Sequence, residues 1–143
     1  MAKLGKSVTI KAPVEKVFSF MTDPRNYPEI WPSMVEVKDV KESPKGGCDF
    51  SWVYKMAGVR FEGASEELEH VANQRIVAEN KKGIPSKFTW NYKPEAGGTT
   101  LAVEVEYTVP VPLLGKMAEA VIVKLNENEM NVLLANLKAR MEA

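Results

Sequence analysis

The 143-residue chain is poor in the residues that make metal, disulfide and nucleophile chemistry: it has one cysteine, Cys48, and one histidine, His70. A lone cysteine cannot close an internal disulfide, and a zinc centre needs several convergent Cys, His or carboxylate ligands at suitable spacing. No metal and no cofactor are therefore expected. Net charge is also missing, since nineteen Lys and Arg stand against nineteen Asp and Glu. Bulk charge thus gives no reason to expect nucleic acid as a partner. No apolar run approaches the roughly 18 residues of a membrane span, and the C-terminal segment is interrupted by Lys116, Glu119, Lys124, Glu127 and Glu129. Stable membrane insertion is not expected. The opening "MAKLGKSVTI" lacks the apolar stretch of a signal peptide, so a cytoplasmic location is the expectation. Gly-x-Ser-x-Gly, Gly-x-Gly-x-x-Gly and phosphate-loop patterns are absent, and Ala96 to Thr100 reads as a hairpin turn. With no motif for any of these chemistries, no catalytic residue is assigned.

What the chain does have is a pattern written twice. "FSWVY" places Phe50, Trp52 and Tyr54 at alternate positions, and "FTWNY" does the same with Phe88, Trp90 and Tyr92. Successive side chains of a strand point to opposite faces, so each triplet lands on one face of a sheet. Six rings then look the same way, and they either fill a core or line a hollow.

The remaining periodicities give the frame. Val8 and Ile10 alternate with polar residues in a first strand, after which Val14, Val17, Phe18 and Met21 recur at helical spacing behind Pro13. Asp23 and Pro24 open a second short helical segment that Pro28 and Pro32 keep short. From Met34 to Val109 the chain reads as six strands, broken by turn signals at 43–47, 57–58, 72–73, 83–85 and 95–98. One face carries Cys48, Phe50, Trp52, Tyr54 and Met56 and is expected to be buried; Asp49, Ser51, Val53 and Lys55 mark a wet face. Phe61 and Leu68 fall on opposite parities of one strand and predict a bulge. From about Leu113 to Met141 the period is helical, with an apolar stripe of Leu114, Met117, Ala118, Val121, Ile122, Leu125, Val132 and Leu133. Winding at 100° per residue puts Glu129 inside that stripe and Asn128 at its edge. The expected architecture is α+β: a seven-stranded antiparallel sheet, curved around a long C-terminal helix, with two short helices after the first strand.

The segment "SVTIKAPVEKVFSFMTDPRNYPEIWP" resembles the start of a START-like, helix-grip domain of the polyketide cyclase/dehydrase and lipid-transport superfamily. The strand ending in Ala12-Pro13, Val17-Phe18 on the helix, the Asp23-Pro24 turn, and Tyr27-Pro28 leading to Trp31-Pro32 carry the likeness, and element order extends it over residues 1–143 as one domain. Tyr27-Pro28 also resembles the quinone-binding branch. The resemblance implies an apolar or amphipathic small molecule, such as a lipid, a quinone or a polyketide-like compound, held between the sheet and the C-terminal helix.

The expected ligand-binding set is Phe50, Trp52, Tyr54, Phe88, Trp90 and Tyr92, facing Met117, Val121 and Leu125, with Glu129 as a polar group. His70 near a strand end is expected to be exposed or structural, and Cys48 to act as a small hydrophobe. The run Glu66-Glu67-x-Glu69 carries charge on both parities, so one glutamate should face inward unless the strand bulges. A carrier or sensor and a polyketide cyclase or dehydratase using the same cavity are the two function classes left open. A protein partner is not identified; an interaction surface would need an exposed apolar patch, for which Ile30 and Trp31 are candidates.

Overall fold

The structure, a computed structural model, describes residues 2–56, 58–109 and 115–143, with only the backbone path for 115–118. Seven strands, β1 (Ala2–Ile10), β2 (Met34–Glu42), β3 (Cys48–Met56), β4 (Val59–Val71), β5 (Arg75–Asn80), β6 (Ser86–Glu95) and β7 (Gly98–Tyr107), form one antiparallel sheet. The order β1-β7-β6-β5-β4-β3-β2 is a meander closed on one side by the first strand, which pairs with the last. Two strands separate β3 from β6, as the sequence predicts. Tight turns suffice because each consecutive pair is antiparallel. Leu68 falls where the β4–β5 register shifts between Glu67 and Glu69, so the expected bulge is there.

Two short helices follow β1. In α1 (Val14–Thr22) the residues Val14, Val17, Phe18 and Met21 share the buried face. Asp23 then accepts a hydrogen bond from Arg25 N at 3.1 Å and opens a 3₁₀ turn, Pro24–Asn26, whose proline sits where a free N–H would be wasted. The next turn, α2 (Tyr27–Ile30), ends at Trp31, directly before Pro32. Ile30 and Trp31 are buried, at 1% and 6% exposure, so they form no surface patch.

The long helix α3 (Gly115–Glu142) lies across the concave face. Its C-terminal half is fastened by Leu133, Leu134, Leu137 and Met141 in the core. Lys16 Nζ donates to Met141 O at 2.7 Å, Lys138 Nζ to Thr9 O at 2.9 Å, and Asn136 Nδ2 to Ile30 O at 3.1 Å. The buried face differs from the expected stripe. Val121 and Leu125 point outward at 59% and 49% exposure, while Ile122 and Met130 point in. The physical reason is that the four residues of the C-terminal half set the rotation of a rigid helix. At 100° per residue that choice turns Val121 and Leu125 well over a quarter-turn away. Leu114 lies outside the described residues, as do the side chains of Met117 and Ala118.

The convex face is not uniformly wet. Val53 has no exposed surface although its neighbours Ser51 and Lys55 face the solvent side. Its register partners are Glu36 on β2 and Glu62 on β4, and long side chains of that kind can roof a small apolar one with their methylene stems.

Candidate functional site

Between the concave face and α3 lies a hollow walled by both aromatic triplets. Phe50, Trp52 and Tyr54 of β3 and Phe88 and Trp90 of β6 line it. Tyr92, the sixth ring, is not among the lining residues; it is buried beside Phe18, ring centroids 5.0 Å apart. Glu129 lines the hollow, whereas Val121 and Leu125 do not, because α3 is rotated as described. Met117's side chain falls outside the described residues.

The space between the triplets is bridged by a ring from neither. Trp31, at the end of α2, lies edge-on to Tyr54 at 5.9 Å, to Phe88 at 5.5 Å and to Trp90 at 6.5 Å between centroids. Edge-to-face contacts of this kind add about 0.5–1.5 kcal/mol each beyond area burial. Its indole N–H donates to Tyr54 Oη at 3.3 Å. With that ring in place the cavity volume is about 90 Å³, less than the several hundred Å³ of a typical small-molecule pocket. Pro28 and Pro32 around Trp31 signal a rigid approach in the sequence, but the direction of the ring is not legible there.

Polar groups enter the wall at three places. In the middle, Trp52 Nε1 donates to Asn80 Oδ1 and Asn80 Nδ2 to Ser86 Oγ, each at 2.9 Å. At one end, Ser33 N donates to Glu129 Oε1 at 2.6 Å, and Asn126 Nδ2 donates to Tyr107 Oη at 3.0 Å. Asn126, rather than the exposed Asn128, is the helix amide that turns inward. Burial raises the Tyr54 hydroxyl to about 12 against the Trp31 hydrogen bond that lowers it, so it stays protonated near neutrality.

At the other end stands Glu67, the inward glutamate of the Glu66-Glu67-x-Glu69 run, its side chain 9% exposed. His70 Nδ1 lies 3.0 Å from Glu67 Oε1, and the imidazole packs edge-on against Phe18 at 5.2 Å. The histidine is half-buried and structural in its contacts. Desolvation pushes the Glu67 carboxyl upward, and the His70 hydrogen bond and the nearby Cys48 amide oppose this without cancelling it. Tyr27 and Tyr92 hydroxyls are pushed up by the same burial, and among the described residues Tyr92 Oη has no hydrogen-bond partner. The turn before β3 lies flat on this pair. Gly47, at φ +66°, is so close that a Cβ there would stand 2.6 Å from Glu67 Oε1, and Gly46, at φ +95°, would meet the His70 ring at 2.9 Å. Only glycine fits both the backbone and the space. Cys48, next in the chain, is half-buried, with its thiol raised by desolvation and by Asp23 and Glu67, so it is not an activated nucleophile.

A seven-stranded antiparallel sheet gripping a long C-terminal helix, with two short helices after the first strand and an aromatic hollow between, is the helix-grip arrangement. The sequence matches the family described as polyketide cyclase/dehydrase and lipid transport over residues 1–142. The chain belongs to that family. Solved structures agree in fold. A START superfamily protein from Mycobacterium smegmatis superposes with a TM-score of 0.81 at 19% identity, covering 98% of this chain and 97% of that one. TTHA0849 from Thermus thermophilus gives 0.77 at 23% identity, covering 98% and 97%. The Zhui aromatase/cyclase from Streptomyces sp. R1128 gives 0.77 at 16% identity, covering 99% and 96%. No functionally curated protein matches the sequence. Within the polyketide cyclase/dehydrase and lipid transport family this chain thus has the hydrophobic ligand-binding fold, and no helix among its described residues is long and apolar enough to cross a membrane.

Proposed function

We propose that the protein binds one apolar or amphipathic small molecule, of lipid, quinone or polyketide-like character, in the hollow between the sheet and α3, as a carrier or sensor. The observation that carries this reading is the wall itself: rings of β3 and β6 face one another across a space that Trp31 only partly fills. A close-packed core leaves few voids larger than a water molecule. Burying several hundred Å² of ligand surface at about 25 cal/mol per Å² gives several kcal/mol before association costs, which suffices for micromolar binding. Trp52 and Trp90 report such binding through their fluorescence. Titration with a fatty acid, a quinone, a sterol and an aromatic polyketide is expected to change that emission for at least one class. Trp90→Ala is expected to weaken binding at least tenfold, with Lys93→Ala on the outer face neutral. An unchanged emission with every class, in native mass spectra free of bound ligand, rejects the reading.

A second reading, a cyclase or dehydratase in the same hollow, is favoured by one feature. Glu67 at the wall is in hydrogen-bond contact with the His70 imidazole behind it, a pair that can hold and pass a proton. Single-turnover product analysis with a poly-β-ketone substrate separates the two: a cyclised or dehydrated product that His70→Ala fails to give, with binding intact, favours the enzyme.

A further inference from the structure

Charged groups in the hollow are of one sign. Its described lining residues include two carboxyl groups, Glu67 and Glu129, and no Lys, Arg or His. The nitrogen donors of the wall are engaged with the protein: Trp31 Nε1 with Tyr54, Trp52 Nε1 with Asn80, Asn80 Nδ2 with Ser86, and Asn126 Nδ2 with Tyr107; the Tyr54 and Tyr107 hydroxyls accept in two of these bonds and keep their own protons to give. Each carboxyl group also has a partner within the protein. Glu67 Oε1 faces His70 and Glu129 Oε1 accepts from Ser33 N. Among the described residues no hydrogen bond reaches Oε2 of Glu129, while the Cys48 amide approaches the Glu67 carboxyl beside His70.

The two carboxyl groups also stand far apart. The register pairing Phe50 with Ser65 puts Glu67 level with the start of β3, while Glu129 sits beside Ser33 and Tyr54 near its other end. Along a strand that is roughly 20 Å. Flat aromatic walls run between them.

We propose that the hollow selects a flat, apolar ligand that carries a hydrogen-bond donor at each end and no anionic group, with Glu67 and Glu129 accepting from the two donors. The proposal rests on the small-molecule reading above and narrows it. A donor aimed at a carboxylate makes a charge-assisted hydrogen bond, stronger than a neutral one. An anionic head would instead meet like charge where little water screens it. Burial already disfavours the charge on Glu67, and an anion beside it would push that carboxyl further toward its protonated form. A fatty acid, whose polar end is a carboxylate, is therefore a poor fit. Phenols, alcohols and amines share the required chemistry.

Calorimetric titration with four trans-stilbenes, the para,para′-dihydroxy, bis(aminomethyl), dimethoxy and dicarboxylate derivatives, tests this on one rigid body. The dihydroxy or the bis(aminomethyl) compound is expected to bind at least tenfold more tightly than the dimethoxy compound, and whichever does so tells a neutral donor from a cationic one. The dicarboxylate is expected to bind weakest. Glu67→Gln and Glu129→Gln should each cut the preference for the donor compound over the dimethoxy compound about tenfold while leaving dimethoxy affinity within twofold. Melting curves verify folding, and if one variant fails to fold the other decides. Equal affinity for dihydroxy, bis(aminomethyl) and dimethoxy compounds, tight dicarboxylate binding, or a preference that survives substitution overturns the donor assignment alone. Failure of all four to bind removes this assignment, and failure of the broader ligand panel as well removes the small-molecule reading.

Discussion

At the scale of the residue, Glu67 shows how a buried charge ties stability to pH. Its ordinary value is 4.5 in the unfolded chain, and burial holds it higher in the folded one. The folded state therefore binds the proton more tightly. The stability this gives is full below about 4.5 and is lost as pH rises through the folded value. The groups that face it are His70 on β4, Cys48 and Asp49 on β3, Tyr27 on α2 and Tyr92 on β6. Glu142 works in the opposite sense, because the Lys11 amide and Lys138 hold its carboxyl down. Comparing wild type with Glu67→Gln isolates the first effect. In urea unfolding between about pH 4 and pH 8, the variant is expected to gain on the wild type as pH rises; a gain on lowering the pH contradicts the assignment. Part of this was legible beforehand. Charge on both parities of one strand signals an inward glutamate, and Leu68 signals the bulge that lets Glu67 and Glu69 differ. The partnership with His70 was not, because it depends on how the bulge aims two side chains three residues apart.

At the scale of the element, the strand faces are more legible in the sequence than the face of the long helix. A strand has period two, so one buried residue fixes the face of all its neighbours, and the β3 and β7 faces follow from the sequence except at Val53. A 28-residue helix has more freedom, since apolar residues on two sides offer two stripes and periodicity cannot choose. Tertiary anchoring chooses: Leu133, Leu134, Leu137 and Met141 enter the core, and Val121 and Leu125 are left outside. Leu133→Ala is expected to cost about 2–5 kcal/mol in chemical denaturation, because it opens a cavity at a fully buried site. Leu125→Gln should change stability by no more than about 0.5 kcal/mol. A Leu125→Gln cost as large as that of Leu133→Ala would restore the stripe that the sequence suggests. The same contrast in anchoring makes the amides of 119–126 the natural place for α3 to lift when a ligand enters.

At the scale of the whole molecule, sheet and connector meet at one side chain. The meander sets the two triplets apart by two strands, roughly 14 Å, about the width of a helix with its side chains. That gap is too wide for their rings to touch and too narrow to stay empty. The chain closes it with Trp31, delivered from α2 and held by Tyr54, Phe88 and Trp90. The sequence announced the triplets but not the ring between them, because Trp31 reaches the hollow through a three-dimensional turn and not through any strand period. The interior is thus a hollow partly filled by one ring, and treating that ring as a removable filling gives a definite expectation for Trp31→Ala. Without ligand the variant loses about 3–5 kcal/mol, as large-to-small core changes do. With ligand it recovers part of that loss, because the enlarged space accepts more of the ligand's apolar surface and binding stabilises the folded state by mass action. Thermal unfolding of wild type and Trp31→Ala, with and without the tightest ligand of the titration panel, measures both terms. A larger ligand-induced rise in Tm for the variant identifies Trp31 as a filling that competes with the ligand. A smaller rise, or none, identifies it as a wall that the ligand stacks on, and the ligand then has to fit the 90 Å³ that the ring leaves free or push α3 aside.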